Sequence, residues 1–157
     1  MRSSINKKLR ELIQRDDVLI LGQSIKDPFG GASKVTRGIK SDKVINTPIS
    51  EAGGMGLCTG LALAGFKPIY EIMFFDFITL IADQVINIFN NIEEDLTVVI
   101  RTMKAPEEYG PTHSKNMTGY IKPWPVYWKW VEVPEQDYDE ALERTGITVL
   151  IEDKTKY

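Results

Sequence analysis

Apolar and polar residues follow two different periods along the chain, and the changes between them predict an order of helices and strands. Near the N-terminus, apolar residues recur at helical spacing and predict an amphipathic helix; they are Ile5, Leu9, Leu12 and Ile13. Short continuous apolar runs predict buried strands at 18–22, 43–48, 67–74, 96–102 and 147–153.

Helical patterns lie between these strands. Ser50 is expected to cap a helix that runs from Glu51 to about Ala64, and Gly65 is expected to end it. The segment 76–91 repeats apolar residues on one side and predicts an amphipathic helix; they are Phe77, Leu80, Ile81, Val85, Ile88 and Phe89.

The stretch 131–145 is typical of a strand, a turn and a helix. Across the chain, strands therefore alternate with helices. This alternation predicts a three-layer α/β/α fold with a mostly parallel sheet that is covered on both faces. We expect one domain over residues 1–157, because the pattern shows neither a repeat nor an interior linker.

Composition narrows the classes of partner. The chain has 157 residues, a net charge of -3 and a pI of about 5.3, so no broad basic face for nucleic acid is expected. No apolar run approaches the roughly 20 residues that span a bilayer, so we expect no membrane partner and a cytoplasmic location. The single cysteine, Cys58, cannot form an internal disulfide and is expected to pack in its helix.

The stretch NTPISEAGGMGLCTGLALAG, residues 46–65, contains one acid, Glu51, at the start of an uncharged, glycine-rich helix. Ligands of open α/β sheets bind beyond the carboxyl ends of the strands, and Glu51 follows such an end. The helix dipole favours the ionised carboxylate, whereas apolar surroundings favour the neutral acid. Glu51 could therefore share a proton with a ligand nitrogen, or it could be a surface acid in a first helical turn.

Four glycines in the same helix are unfavourable for helix formation by up to about 1 kcal/mol each. They are Gly53, Gly54, Gly56 and Gly60. We expect close approach of another backbone or of a flat ring to offset this cost, and tight helix packing is the alternative.

Four blocks that occur in order carry a resemblance to a known family: LGQSIKDPFGGASKVTRGI, KVINTPISEAG, GLALAGFKPIYEIMFFDFITLIADQVIN, and VVIRT followed by YGPTHS. Together they resemble the beta subunit of the thiamine-diphosphate-dependent component of 2-oxo-acid dehydrogenases, a family that includes pyruvate, branched-chain and acetoin dehydrogenase components. The block 46–87 is similar to the pyrimidine-binding domain of transketolase-like enzymes.

The resemblance implies roles for individual residues. Glu51 matches the acid that binds a ring nitrogen of the aminopyrimidine and so promotes loss of the thiazolium proton, after which the cofactor attacks a 2-oxo acid. Met73 and Phe77 match positions that cradle the aminopyrimidine, with core packing as the alternative. His113, in YGPTHS, matches a histidine near the active site that steers substrate or acyl transfer; the alternative is a solvated loop histidine.

Two positions depart from the family pattern. Gln23 stands in LGQS where the family usually has an acid, so a proton relay between paired active sites through this position is expected to be broken or unused. The segment KPWPVYWKWVEVP contains four large aromatic residues between 124 and 130. They are expected to form an interface patch, to line a substrate pocket, or to pack in the core.

Two family features are missing from the sequence. The chain ends at ITVLIEDKTKY, which resembles the end of the family's first domain, so the C-terminal domain is expected to be absent. The family's magnesium and diphosphate motif, GDG followed by NN, is also absent, so no metal ligand is assigned here.

The resemblance then implies a pyrimidine-binding subunit of a split enzyme that decarboxylates a 2-oxo acid and transfers the resulting acyl carbanion equivalent, as a carboligase or a dehydrogenase component. A separate alpha-type subunit would supply the diphosphate and magnesium site, in an α2β2 heterotetramer. The alternative is a non-catalytic truncated paralogue that binds and regulates a full-length partner. A generic nucleotide-binding domain is disfavoured, since no phosphate loop or dinucleotide fingerprint is present.

Overall fold

The computed structural model describes residues 1–157, and its strands form one six-stranded sheet. The strands are β1 (Val18–Gln23), β2 (Val44–Thr47), β3 (Lys67–Ile72), β4 (Thr97–Lys104), β5 (Val126–Trp130) and β6 (Gly146–Asp153). Their order across the sheet is β2-β1-β3-β4-β6-β5, and all five neighbouring pairs are parallel. The predicted α/β fold with a parallel sheet is confirmed.

Helices cover both faces of this sheet. The α-helices are α1 (Arg2–Leu12), α2 (Glu51–Leu63), α3 (Thr118–Ile121) and α4 (Pro134–Glu143). Leu9 of α1 and Tyr138 of α4 belong to the apolar core on one face, and Met55 of α2 belongs to the core on the other. Within β4, Val98 packs into the α2 side and Val99 into the α1 side, which explains why this strand is apolar at successive positions.

Helix α2 begins and ends where its sequence predicts. Ser50 Oγ accepts a hydrogen bond from the backbone N–H of Gly53 at 3.3 Å, which satisfies one free donor of the first turn. Gly65, just beyond the helix, has a φ of 89°, a left-handed conformation that glycine adopts without steric cost. Cys58 is a free, buried thiol on the core side of α2, as expected.

The segment 76–91 is helical but is not the single α-helix that was predicted. It consists of a 3-10 helix at Phe75–Ile81, a π-helix at Gln84–Ile88 and a further 3-10 turn at Phe89–Asn91. We call residues 75–91 the mixed helical segment. These helices have different numbers of residues per turn, so the apolar face changes phase along the segment and Leu80 and Ile88 are exposed rather than buried.

The strand predicted at the start of 131–145 is wrong in position, because the strand lies upstream at β5. Trp124, Trp128 and Trp130 pack against the core on the α2 side, which supports the core alternative for these three residues. Tyr127 faces outward, and the guanidinium of Arg144 lies 4.1 Å from its ring centroid.

None of the helices combines the length and the apolar character that are needed to cross a membrane.

Candidate functional site

The residues predicted to form a site all follow the carboxyl ends of strands on one side of the sheet. Glu51 begins α2 shortly after β2, and Met73 directly follows β3. Phe77 lies in the mixed helical segment, and His113 lies in the loop that follows β4. Because the strands are parallel, these positions share one edge, which is where open α/β sheets bind ligands.

Three of the predicted residues come together around Phe74. The His113 ring lies edge-on to Phe74, with 4.6 Å between ring centroids, and 5.5 Å from Phe77. Met73 and Phe77 pack against the small apolar cluster that contains Phe74. Both Met73 and Phe77 are half-buried, so each has a core side and an accessible side.

Glu51 stands apart from this aromatic group. Its side chain is half-buried, and its carboxylate makes no hydrogen bond or salt bridge within the chain. The apolar enclosure expected for this acid is therefore not complete in the single chain. Strand β3, which directly precedes Met73, connects the start of α2 to this group.

Tyr70 of β3 provides that connection. Its hydroxyl donates to the backbone carbonyl of Glu51 at 3.3 Å, and the Ser50 carbonyl lies at 3.5 Å. Gly54 allows this approach, since a Cβ there would lie 2.1 Å from the Tyr70 hydroxyl oxygen. Tyr70, which lies three residues before Met73, thus fixes the first turn of α2. The carboxylate of Glu51 takes no part in this hydrogen bond.

A hydrogen bond to Asp76 connects the His113 loop to the mixed helical segment. Asp76 Oδ1 accepts from the backbone N–H of Lys115 at 3.2 Å, while its Oδ2 is buried without a partner in the chain. The His113 Nδ1 lies 2.9 Å from Thr112 Oγ1, which leaves Nε2 as its free nitrogen. The sequence reasoning missed Asp76, although an acid between aromatic residues in EIMFFDF was a signal for it.

Lys154 was also missed. It begins the short 3-10 turn after β6, and its Nζ lies 4.1 Å from the ring centroid of Tyr109 and 5.4 Å from that of Phe74. Only tertiary structure brings residue 154 next to residue 74, so no local sequence pattern could have indicated it.

Behind the site lies a buried ion network centred on Arg101 of β4. Arg101 donates to Glu152 of β6 at 3.0 and 2.5 Å, to Glu71 of β3, and to Ser33 at 3.3 Å. Tyr138 donates to Glu152 at 3.0 Å. The side chains of Arg101, Glu71 and Glu152 are no more than 5% exposed, so two carboxylates and one guanidinium are enclosed together.

The network shifts the pKa values of its members. Burial, assisted by the nearby Glu152 carboxylate, raises the pKa of Glu71, although the charge of Arg101 opposes the rise. Burial also raises the pKa of Tyr138 and Tyr157, whose hydroxyls face the same carboxylate. Both carboxylates raise the pKa of Arg101 even though burial opposes the change, so the guanidinium stays charged.

No group of three or more histidine, cysteine, aspartate or glutamate side chains comes together in a way that could hold a metal ion. The largest cavity has a volume of about 410 Å³ and lies between the carboxyl ends of β4, β5 and β6, with Lys104, Trp130 and Lys156 in its lining. It is thus next to the aromatic group and not between that group and Glu51.

Comparison with known proteins places most of the chain in one family. Residues 1–119 match the family described as transketolase, pyrimidine binding domain. The beta subunit of acetoin:2,6-dichlorophenolindophenol oxidoreductase from Bacillus subtilis is 31% identical over 186 residues, which cover 100% of this chain and 54% of that relative. The mitochondrial beta subunit of the human pyruvate dehydrogenase E1 component is 41% identical over 92 residues, 55% of this chain and 25% of that relative.

The chain thus spans about half of the first relative, and the matched part is a quarter of the second. Among solved structures, the one described as a split gene transketolase, inactive beta4 tetramer, has a TM-score of 0.71 at 19% identity over 98% of this chain and 50% of that one. A putative thiamin diphosphate-dependent enzyme from Mycobacterium smegmatis has a TM-score of 0.62 at 15% identity, over 95% of this chain and 31% of that one. These two likenesses concern the fold.

The parallel sheet, the capped glycine-rich helix with its free acid, and the match over residues 1–119 agree with one another. The chain belongs to the transketolase pyrimidine-binding-domain family, and within it the domain is of the beta-subunit type.

Proposed function

We propose that this chain is the pyrimidine-binding subunit of a split thiamine-diphosphate-dependent enzyme that acts on a 2-oxo acid. The observation that carries the proposal is the carboxylate of Glu51, which lies half-buried and without a partner at the carboxyl edge of the sheet. Family membership supports it, because the matching domain is one that binds a pyrimidine. The relative described as a pyruvate dehydrogenase beta subunit supports the 2-oxo-acid class, since pyruvate is a 2-oxo acid.

The residues present fit an aminopyrimidine. A ring nitrogen needs a hydrogen-bonding acid, and Glu51 has both carboxylate oxygens free. A flat heteroaromatic ring needs an apolar surface, and the accessible sides of Met73 and Phe77 offer one. When bound, thiamine diphosphate supplies a nucleophilic carbon that attacks the oxo group of the substrate.

The chain's own residues would bind, orient and handle protons around this group. Glu51 holds a proton at its carboxyl oxygen toward the pyrimidine nitrogen, which an amide such as Gln could not do. His113 can move a proton at Nε2, because its Nδ1 faces Thr112. Gln23 ends β1 between these groups and cannot ionise, so no proton passes through it as an acid.

A second polypeptide is part of the proposal. The outward face of α2 leaves Leu57 and Leu63 about half-exposed, and Leu80 and Ile86 of the mixed helical segment are exposed as well. Gly60 on α2 has open space around it, so another backbone can approach closely there. We infer that an alpha-type subunit packs on this surface, encloses Glu51, and brings the diphosphate and magnesium ligands in an α2β2 assembly.

The reaction would begin with decarboxylation and end with transfer of the acyl carbanion equivalent to an acceptor, as in a carboligase or a dehydrogenase component. We also propose a cytoplasmic location for the assembly, in keeping with the single unpaired cysteine.

The test is Glu51→Gln in the complex purified from the native source with its partner chain. We expect turnover of 2-oxo acids to fall by about 100-fold or more, the scale of general acid–base groups, while thiamine diphosphate remains bound. Turnover is measured with a panel of 2-oxo acids and aldehydes, and cofactor binding is measured by calorimetry.

Glu135→Gln is the matched control, since Glu135 is also a first-turn acid, on α4. We expect the complex with this variant to turn over 2-oxo acids at the normal rate. This result would show that removing a first-turn acid from a helix does not by itself lower turnover. Unchanged turnover in Glu51→Gln would reject the role of Glu51. A native complex in which this chain contributes no cofactor contact would favour the regulatory alternative.

A further inference from the structure

Lys154 places a positive charge beside the aromatic residues that surround His113. It directly follows β6, and β6 pairs with β4, whose following loop carries His113. The Lys154 Nζ lies 5.4 Å from the ring centroid of Phe74, and the centroid of the His113 ring lies 4.6 Å from that of the same Phe74 ring. Phe74 is thus a shared neighbour of the ammonium group and the imidazole.

The ammonium group of Lys154 has no carboxylate within salt-bridge distance. By contrast, Lys8 pairs with Asp139 at 2.8 Å and Lys129 pairs with Asp137 at 2.7 Å. The carboxylate next to Lys154, that of Asp153, instead accepts hydrogen bonds from Thr155 at 2.9 and 2.7 Å.

The neighbouring aromatic rings stabilise the positive charge of Lys154 only in part. Tyr109 at 4.1 Å and Phe74 provide cation–π contacts, which stabilise an ammonium group but do not accept its N–H hydrogen bonds. Lys154 is half-buried, and its ammonium group packs against these two rings at the edge of the site. An ammonium group whose N–H donors have no acceptor, at the edge of the sheet where ligands bind, is suited to bind an anion.

We propose that Lys154 binds a second anionic group, a carboxylate or a phosphate, at the end of the donor substrate remote from its oxo group. The inference rests on the proposed function and specifies the substrate class: donors that carry a distal negative charge. The 1-carboxylate that leaves as carbon dioxide is a poorer partner, since a cation bound to it would stabilise the ground state and slow its loss.

The experiment compares donors of equal length with the purified native complex. 2-Oxoglutarate carries a distal carboxylate and 2-oxopentanoate does not. A second pair of 2-oxo acids, 3-phosphohydroxypyruvate against 3-hydroxypyruvate, tests a distal phosphate. The variants are Lys154→Met, which keeps the apolar stem, Lys154→Arg, which keeps the charge, and Lys7→Met, an exposed control on α1.

We expect the native complex to prefer one of the charged donors over its uncharged counterpart. Lys154→Met should raise the KM of that charged donor by roughly 10- to 100-fold, the scale of a hydrogen bond to a charged group, and leave kcat and the uncharged donor unaffected. Lys154→Arg should recover most of the affinity, and Lys7→Met should change nothing. The preferred pair identifies the anion as carboxylate or phosphate.

Equal losses on charged and uncharged donors would show that Lys154 only packs the aromatic group, and would overturn the inference. A native complex that discriminates against both charged donors would overturn it as well. Equilibrium binding of 2-oxoglutarate and 3-phosphohydroxypyruvate, measured by calorimetry without turnover, separates the two proposals. Failure to bind thiamine diphosphate rejects the proposed function, whereas unaltered anion affinity in Lys154→Met rejects the role of Lys154.

Discussion

Three acidic residues lie toward the same edge of the sheet, and they differ in burial and in whether they have a partner of opposite charge. Glu71 and Glu152 are buried, and both receive hydrogen bonds from Arg101. Glu51 is only half-buried, and its carboxylate has no partner in the chain. The first pair joins β3, β4 and β6, whereas Glu51 lies at the free end of a helix.

This difference separates acids that hold the fold together from one that is available to a ligand. A buried charge is tolerated only with a partner of opposite charge, so the partner of a structural acid must lie within the same chain. An acid that recognises a ligand must keep its oxygens free until the ligand arrives. On this reasoning, the free acid and not the buried pair is the candidate functional group.

The largest expected effect comes from breaking the buried network. Arg101→Met leaves two carboxylates enclosed without a cation, and we expect it to lower the free energy of unfolding by about 3–5 kcal/mol. Urea denaturation followed by circular dichroism measures the change. Arg37→Met, at an exposed position, should change stability by no more than about 0.5 kcal/mol. A loss in Arg101→Met as small as that of the control would show that the network contributes little to stability.

An intermediate effect is expected in the helix that carries Glu51. Gly54→Ala would place a Cβ 2.1 Å from the Tyr70 hydroxyl oxygen, within a rigid and buried ring, so α2 must move away from β3. We expect a loss of about 1–3 kcal/mol, the usual range for overpacking. Thermal unfolding of the isolated chain gives the measurement.

Gly60→Ala is the matched control on the same helix, since nothing lies within 4 Å of its added Cβ. It should stabilise the isolated chain by up to about 1 kcal/mol through helix propensity. Stabilisation by both substitutions would mean that Tyr70 does not fix the first turn of α2.

The smallest effect is a dependence of stability on pH. Burial raises the pKa of Glu71 in the folded protein above its ordinary value of 4.5. At pH values between the ordinary pKa and the raised one, the folded state therefore binds more protons than the unfolded state. The free energy of unfolding should therefore fall as pH rises through that window, by at most about 1.4 kcal/mol per pH unit for one proton. Glu71→Gln should flatten the profile, as measured by urea denaturation at a series of pH values. An identical slope in the variant would place the titrating group elsewhere.

Sequence patterns predicted α2 well because its signals are local. The Ser50 cap, the uncharged run and Gly65 are all within or next to the helix that they define. The mixed helical segment was mispredicted because its apolar spacing is compatible with several helical periods. Packing against α2 and β4 selects among them, and that information is not local.

The site shows the same division. Glu51, Met73, Phe77 and His113 were assigned by motifs that stand in the sequence, and the structure brings the last three together around Phe74. The roles of these four residues stay predictions. Lys154 could not be assigned, because its neighbour Tyr109 is 45 residues away along the chain.

The order of the sheet also determines when it can be completed during synthesis. Strand β6 leaves the ribosome after the other five strands of the sheet, yet it is the only neighbour of β5 and the second neighbour of β4. Until residues 146–153 emerge, the tryptophan-bearing strand has no partner and one edge of β4 stays open. A nascent chain that stalls before this point exposes two aggregation-prone edges at once, so translation of residues 146–153 is the step at which a chaperone would protect the sheet most.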